Sequence, residues 1–358
     1  MNTTNASPLG LLRADLLALE PYRHAPWEPG LTRLHANESP WRGPADDSRA
    51  GLNRYPVPYP RALEERLAAL YGVRAEQLIA ARGSDECIDL VTRVALVAGR
   101  DAILCCPPTF PMYALCARVH GARVQGVPLA GPGYDPDLIG IDAALDLTVK
   151  LVYLCSPNNP TGGAVPLGTI DALAARLAGR SLLVVDEAYA EFSRVASAAT
   201  LLADHPNLVV LRTLSKAYAL AGARVGAALG HPDLIDVLRR IVPPYALPTP
   251  SIEAAEAALT ADSLAVAGER IATLIAERER VTRQLARLDS VVEVLPSDAN
   301  FVLVRCAEPA ALLAAGRAAG LLLRDFSRTP GIEGSVRISI GTAEQNDAVL
   351  AAVGSLAS

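Results

Sequence analysis

The sequence predicts an α/β protein: a large α/β/α domain built on a mostly parallel sheet, followed by a smaller α+β C-terminal domain. Three observations predict it. Short, nearly continuous Val/Leu/Ile runs alternate with helix-period segments through the middle of the chain, as in parallel sheets covered on both faces. At 358 residues the chain is too long for one small core. The stretch Ile241–Pro250, with four prolines, separates that alternation from long helix followed by more strands. The expected division is an arm over 1–35, a large domain over 36–245 and a small domain over 246–358.

Taken in order, the first thirty or so residues, with Pro21, Pro26 and Pro29, read as a short helix and an extended arm. Leu78–Ala81 reads as a strand and Glu86–Val97 as a helix with apolar residues at Leu90, Val91, Val94, Leu96 and Val97. Ala102–Cys106 is a strand stopped by Pro107-Pro108, and Arg123–Pro128 is another. Leu151–Cys155 is a strand ending in the turn-rich Ser156-Pro157-Asn158-Asn159-Pro160. Ser181–Val185 runs into Asp186, Leu208–Leu211 into Arg212-Thr213, and Val225–Leu229 follows. Beyond the proline-rich stretch, Ser251–Leu288 reads as long helix, with Val291–Cys306 and Ser335–Ile340 as strands.

Composition excludes several classes. With 51% hydrophobic and 20% charged residues the chain is ordinarily globular. Its net charge of −5 gives no reason to expect nucleic acid or an anionic membrane as partner. No apolar run approaches the roughly 18 residues of a membrane span. Arg13, Asp15 and Glu20 break up the N-terminus, so no signal peptide is expected. The six cysteines form no C-x-x-C pair and the five histidines are dispersed, which argues for reduced core thiols, no metal site and a cytoplasmic location. No P-loop, no G-x-G-x-x-G after a strand and no G-x-S-x-G elbow is present.

The polar residues cluster just after strands, where open α/β sheets bind ligands. Of 33 basic Lys and Arg residues only Lys150 and Lys216 are lysines, so any side-chain amine chemistry must use one of them. Lys216 follows a strand among small and hydroxyl residues, a setting that suits a Schiff-base amine, although alone it reads more readily as a solvated surface lysine. Lys150 precedes a strand, away from the expected site, and reads as surface. Asp186 ends a buried strand, where a carboxylate needs a cation such as a pyridinium nitrogen; a helix-capping role is the alternative, and Glu187 reads as structural. Asn159 is either a turn asparagine or, with Tyr189, a donor to a phenolate oxygen. Gly83-Ser84-Asp85 is a phosphate cup at a helix start or a plain capping turn. Arg224 could bond the same phosphate or be one of many surface arginines.

In order, G-S-D-E, S-P-N-N-P-T-G, D-E-A-Y, T-L-S-K and A-G-A-R-V-G resemble the fold-type I pyridoxal-phosphate aminotransferases. The segments Glu20-Pro21-Tyr22, His35-Ala36-Asn37-Glu38, Leu52-Asn53-Arg54-Tyr55-Pro56, Pro108-Thr109-Phe110-Pro111-Met112-Tyr113, Leu323-Arg324-Asp325 and Val336-Arg337-Ile338-Ser339 are similar to the histidinol-phosphate branch of that family. The resemblance covers about residues 16–345. It implies that Lys216 binds the cofactor, Asp186 pairs with its ring nitrogen, and Asn159 and Tyr189 contact its ring oxygen. It further implies that Ser84, Asp85, Ser215 and Arg224 hold its phosphate, joined by Tyr55 from the second subunit of a homodimer with shared active sites, and that Thr213 also belongs to the cofactor-binding set. Arg337 then grips a substrate carboxylate, and Arg324, Tyr22 and Asn37 complete the substrate pocket. The ring-stacking position, often tyrosine in this branch, is Phe110, which keeps the stacking and loses a hydroxyl. The implied reaction is transamination between histidinol phosphate and 2-oxoglutarate. A threonine-phosphate decarboxylase or an aromatic aminotransferase on the same fold, and a non-catalytic cofactor-binding module, are the alternatives.

Overall fold

The computed structural model describes residues 7–24, 28 and 30–356, so Pro26 and Pro29 of the arm lie outside the described residues. Among the described residues eleven strands form two sheets. In chain order they are β1 (Leu78–Ala81), β2 (Ala102–Cys105), β3 (Arg123–Gly126), β4 (Val149–Cys155), β5 (Leu182–Asp186), β6 (Leu208–Thr213) and β7 (Gly226–Leu229), then β8 (Val291–Val294), β9 (Phe301–Cys306), β10 (Arg324–Asp325) and β11 (Ser335–Ser339). The first seven make one sheet in the order β1-β7-β6-β5-β4-β2-β3, and the last four an antiparallel sheet in the order β10-β11-β9-β8.

Buried strands here alternate between two apolar layers. Leu104, Val152, Leu154, Val185 and Val210 face one core, with the helices Arg61–Tyr71 and Leu167–Leu177. Ile103, Leu151, Tyr153, Val184 and Val209 face the other, with the helices Gly83–Ala95, Met112–Val119 and Pro232–Ile241. Side chains of successive strand residues point to opposite faces, so a strand apolar at every position is one covered on both sides.

β7 departs from the expected parallel order, pairing antiparallel with both β6 and β1. The link from β6 to β7 contains only the short turn Ala221–Ala223, and a parallel return needs a crossover, usually a helix. The reversal has a chemical result: Lys216 and Arg224 share one loop at the same sheet edge as Asp186. Other expectations also shift. β4 begins at Val149, so Lys150 lies inside the strand, though still at its amino end. The long helix over 251–288 is two, Thr249–Ala258 and Ala261–Leu285, because the Thr260 hydroxyl caps the second by accepting from the Ser263 amide. Residues 295–300 interrupt the strand expected over 291–306, leaving β8 and β9. Gly83 to Asp85 form the first turn of their helix, which starts earlier than Glu86 and ends at Ala95.

The four-stranded sheet packs its own core, including Val302, Val304, Leu312, Val336, Ile338 and Val349, against the helices Ala261–Leu285, Pro309–Ala318 and Ala343–Gly354. A seam of Ala188, Tyr189, Phe192, Ala217, Ala299 and Phe301 joins it to the large sheet's carboxyl edge. The seam is also bonded through backbone: the Asp298 amide donates to the Gly162 carbonyl at 2.8 Å, and the buried Arg278 donates to the carbonyls of Phe192 and Ala299.

Candidate active site

Neighbouring strand ends converge on one cleft. Asp186, the last residue of β5, is fully buried beside Cys155, its register partner at the end of β4. Burial pushes its carboxyl up to about 6, against the lowering effect of bonds from the Tyr113 hydroxyl and the Ala188 amide. Among the described residues no cation is paired with it, so the position is chemically suited to one supplied from outside. Lys216, on the loop after β6, reaches the cleft with its amine 5.6 Å from the centre of the Tyr189 ring. The residue as a whole is solvent-exposed, yet partial burial of the amine, with Arg337 and Arg224 nearby, holds its pKa below the ordinary lysine value. Tyr189 is buried with its ring edge-on to Phe301, 5.2 Å between centres.

A second group forms an anion cup. The helix Gly83–Ala95 begins at the cleft, and its first-turn amides, including those of Ser84 and Asp85, lack intrahelical acceptors. Arg224 lies across this turn, donating to Asp85 at 3.0 Å and to the Ser215 hydroxyl at 3.3 Å. The Ser215 hydroxyl lies 3.0 Å from that of Thr213, which also accepts from the Ser215 amide. Two glycines keep the cup open. A β-carbon at Gly83, whose φ is +79°, would stand 2.7 Å from the Arg224 guanidinium; at Gly226 it would stand 2.6 Å from the Gly83 and Ser84 backbone. Backbone amides, two hydroxyls and a guanidinium make a donor set for a phosphate dianion.

The third group comes from the small sheet. Arg324 of β10 and Arg337 of β11 are directly opposite in antiparallel register. Their guanidinium carbons lie 5.9 and 5.5 Å from the Phe326 ring centre, and that of Arg337 lies 5.1 Å from Phe301. Arg337 donates to the Asn159 side-chain oxygen, its buried Nε has no partner, and among the described residues no carboxylate pairs with it. Like charges placed opposite one another repel, and a half-buried unpaired guanidinium is costly. An anion between the two arginines relieves both.

The structure thus brings Lys216, Asp186, Tyr189, Asn159 and Arg337 into one neighbourhood, with Ser84, Asp85, Thr213, Ser215 and Arg224 as the cup. Phe110 lies half-buried with its ring 5.7 Å from that of Tyr113. Glu187 forms a buried ion pair with Arg212 and is structural, as expected. Within one chain Tyr22, Asn37 and Tyr55 are not brought into contact with these groups. Tyr22 packs edge-on to His24, and Tyr55 stacks on Tyr245 at 4.6 Å. Asn37 and Tyr55 line a separate hollow with Pro248 and Pro250. Residues not singled out in the sequence complete the site: Tyr113 on Asp186, Phe301 and Phe326 under the arginines, and Asn158, which bonds Thr109, Thr161 and the Pro108 carbonyl. Tyr113 sits in a segment noted for its resemblance, but only the fold points its hydroxyl at Asp186.

The same architecture recurs in known proteins. The family of aminotransferases of class I and II matches residues 36–353. The histidinol-phosphate aminotransferase of Stenotrophomonas maltophilia is 48% identical over 359 residues, covering 99% of this chain and 98% of the relative. That of Xanthomonas euvesicatoria pv. vesicatoria is 48% identical over 353 residues, with 97% of each chain covered. The crystal structure of histidinol-phosphate aminotransferase from Sinorhizobium meliloti, in complex with pyridoxal-5'-phosphate, matches with a TM-score of 0.77 at 29% identity, over 85% of this chain and 83% of that one. The L-threonine-O-3-phosphate decarboxylase of Porphyromonas gingivalis, with a TM-score of 0.72 at 24% identity over 85% of this chain and 91% of that one, shares the fold alone. The chain belongs to the class I and II aminotransferases and groups, within them, with the histidinol-phosphate aminotransferases.

Proposed function

We propose that this chain catalyses transamination between L-histidinol phosphate and 2-oxoglutarate, giving imidazole acetol phosphate and L-glutamate in histidine biosynthesis, with pyridoxal 5'-phosphate as cofactor. The observation that carries the reading is Arg337: bonded to Asn159 and free of any carboxylate among the described residues, it couples the Lys216–Asp186 group to a second arginine. When bound, the cofactor supplies an electrophilic carbon for the substrate amine and a ring that accepts electrons from the substrate's α-carbon.

The chain's residues do the rest. Lys216 would hold the cofactor covalently at rest; once released, its amine takes the proton from the substrate α-carbon. Its lowered pKa increases the fraction present as free base. Asp186 would keep a proton on the ring nitrogen, Asn159 and Tyr189 would bond the ring oxygen, and Phe110 would cover a ring face. Ser84, Asp85, Thr213, Ser215 and Arg224 would hold the cofactor phosphate, the first two largely through backbone amides. One site must accept a phosphate monoester in one half-reaction and a dicarboxylate in the other. Guanidinium forks at Arg324 and Arg337 match both, and Tyr22 and Asn37 would close the substrate pocket.

The assembly belongs to the same proposal: a homodimer in which Tyr55 of one copy reaches the cofactor phosphate of the other. In support, Tyr55 is half-exposed and stacked on Tyr245, with its amide and carbonyl held by Glu38 and Arg33 at 2.7 and 3.1 Å. The apolar Leu31, Leu34, Trp41 and Leu52 of the same region are exposed. The boundaries 1–35, 36–245 and 246–358 are proposed as arm, large domain and small domain. A cytoplasmic location suits six buried cysteines that form no disulfide; among the described residues no helix is long and apolar enough to cross a membrane. Incubation with histidinol phosphate and 2-oxoglutarate tests the reading. Glutamate must form in step with loss of the amine, whereas carbon dioxide release from a phosphorylated amino acid without glutamate would overturn it.

A further inference from the structure

Asp186 is held from a side that the sequence motifs do not reveal. Tyr113, in the first turn of the helix Met112–Val119, is fully buried, and its hydroxyl donates to Asp186 Oδ2 at 2.8 Å. The other oxygen, Oδ1, accepts from the Ala188 amide at 3.2 Å. The Tyr113 ring is itself fixed. It stacks on Tyr153 with 4.6 Å between centres and 8° between planes, and the Tyr153 hydroxyl lies 3.2 Å from that of Thr92. Packing alone would be served by phenylalanine. A buried hydroxyl is costly unless bonded, and its acceptor here is the carboxylate on which the proposed chemistry depends.

We propose that Tyr113 is a positioning residue for Asp186: its hydroxyl fixes the rotation of the carboxylate and holds it in the charged form that faces the cofactor's ring nitrogen. This rests on the reading of Asp186 given above. The other titratable groups facing Asp186 are Cys155 and Tyr153 of β4, Asp85 and Cys87 of the helix Gly83–Ala95, Glu187 and Tyr189 after β5, and Lys216. Burial, Asp85 and Glu187 raise its proton affinity, while the Tyr113 bond is the leading effect that lowers it. Without that bond Asp186 is a stronger base. It then competes harder for the proton that the ring nitrogen must keep, and one of its oxygens is free to rotate away.

The test is a double-mutant cycle on the full chain, read by pyridoxal 5'-phosphate dissociation constants and by the Asp186 carboxyl ¹³C titration in cofactor-free protein. Tyr113→Phe is expected to raise the Asp186 midpoint and weaken cofactor binding about tenfold. In an Asp186→Asn background the same change should have no further effect. Tyr153→Phe, which removes a hydroxyl from the other ring of the stack, should leave both readouts unchanged. Unchanged readouts in Tyr113→Phe, or an equal loss of affinity in the Asp186→Asn background, would overturn the inference. Asp186→Asn binding cofactor as tightly as the parent would instead overturn the underlying role of Asp186. Should Tyr113→Phe not fold, the Tyr113 hydroxyl proton resonance in the parent carries the test. It must shift with Asp186 titration, and a resonance insensitive to it defeats the proposal.

Discussion

Two residues show how a side chain's neighbours set its chemistry. Lys216 is one of only two lysines, and arginine could not replace it because a guanidinium stays protonated and cannot bond an aldehyde carbon. Lys216→Ala is expected to abolish turnover and the visible absorbance of bound cofactor, while Lys150→Arg, at the far end of β4, leaves both unchanged in parallel assays. Asp186 carries a cost of its own. Its folded-state pKa of about 6 lies above the ordinary 3.8, so the folded cofactor-free protein binds that proton more tightly than the unfolded chain. The Asp186 contribution to stability is therefore fully present below about pH 4 and is lost as pH rises through 6. The penalty reaches about 3 kcal/mol above that range. Cofactor-free Asp186→Asn should be more stable than the parent toward urea at pH 7.5 by up to that amount, with the difference gone near pH 4. An equal difference at both pH values would show that burial of the charge is not the cause.

At the scale of elements, the positions of β7 and β10 decide the site. β7 runs backwards between β6 and β1, and its first residue, Gly226, abuts the first turn of the helix Gly83–Ala95. A β-carbon at Gly226 would meet only backbone, the Gly83–Ser84 peptide at 2.6 Å and the Arg212 carbonyl at 2.8 Å, so relaxation is difficult. Gly226→Ala should destabilise the fold by about 1–3 kcal/mol and weaken phosphate-group binding by displacing the Ser84 amide. Thermal unfolding and cofactor titration would measure the two effects. β10 has only two residues, yet it sets Arg324 opposite Arg337. Arg324→Gln is expected to raise KM for histidinol phosphate about tenfold with kcat little changed, the pattern of lost binding rather than lost chemistry. Strand ends bearing Asp186 and Thr213 were legible in the sequence, since apolar runs stop at polar residues. The break at Thr260 was less so, because the two helices flanking it have similar composition and only the cap separates them.

At the scale of the whole molecule, two sheets meet along a seam of small and aromatic side chains, with Lys216 next to Ala217 of the seam and Arg337 over its Phe301 ring. If Tyr55 serves the site of a second copy, mixing Lys216→Ala chains with Tyr55→Ala chains should generate hybrid dimers with one intact site. Partial recovery of activity on mixing, above that of either parent, would establish it; no recovery under conditions of subunit exchange would argue for a self-contained site. The sequence by itself determined the α/β class, the lysine and aspartate at strand ends and the glycine-led helix start, because these depend on local periodicity and on what a strand terminus exposes. Only the tertiary structure decided that β7 is reversed, that Arg324 and Arg337 stand opposite each other in strand register, and that a buried tyrosine bonds the aspartate. Those facts depend on strand register and on packing between segments far apart in the chain, and neither leaves a periodic mark in the local sequence.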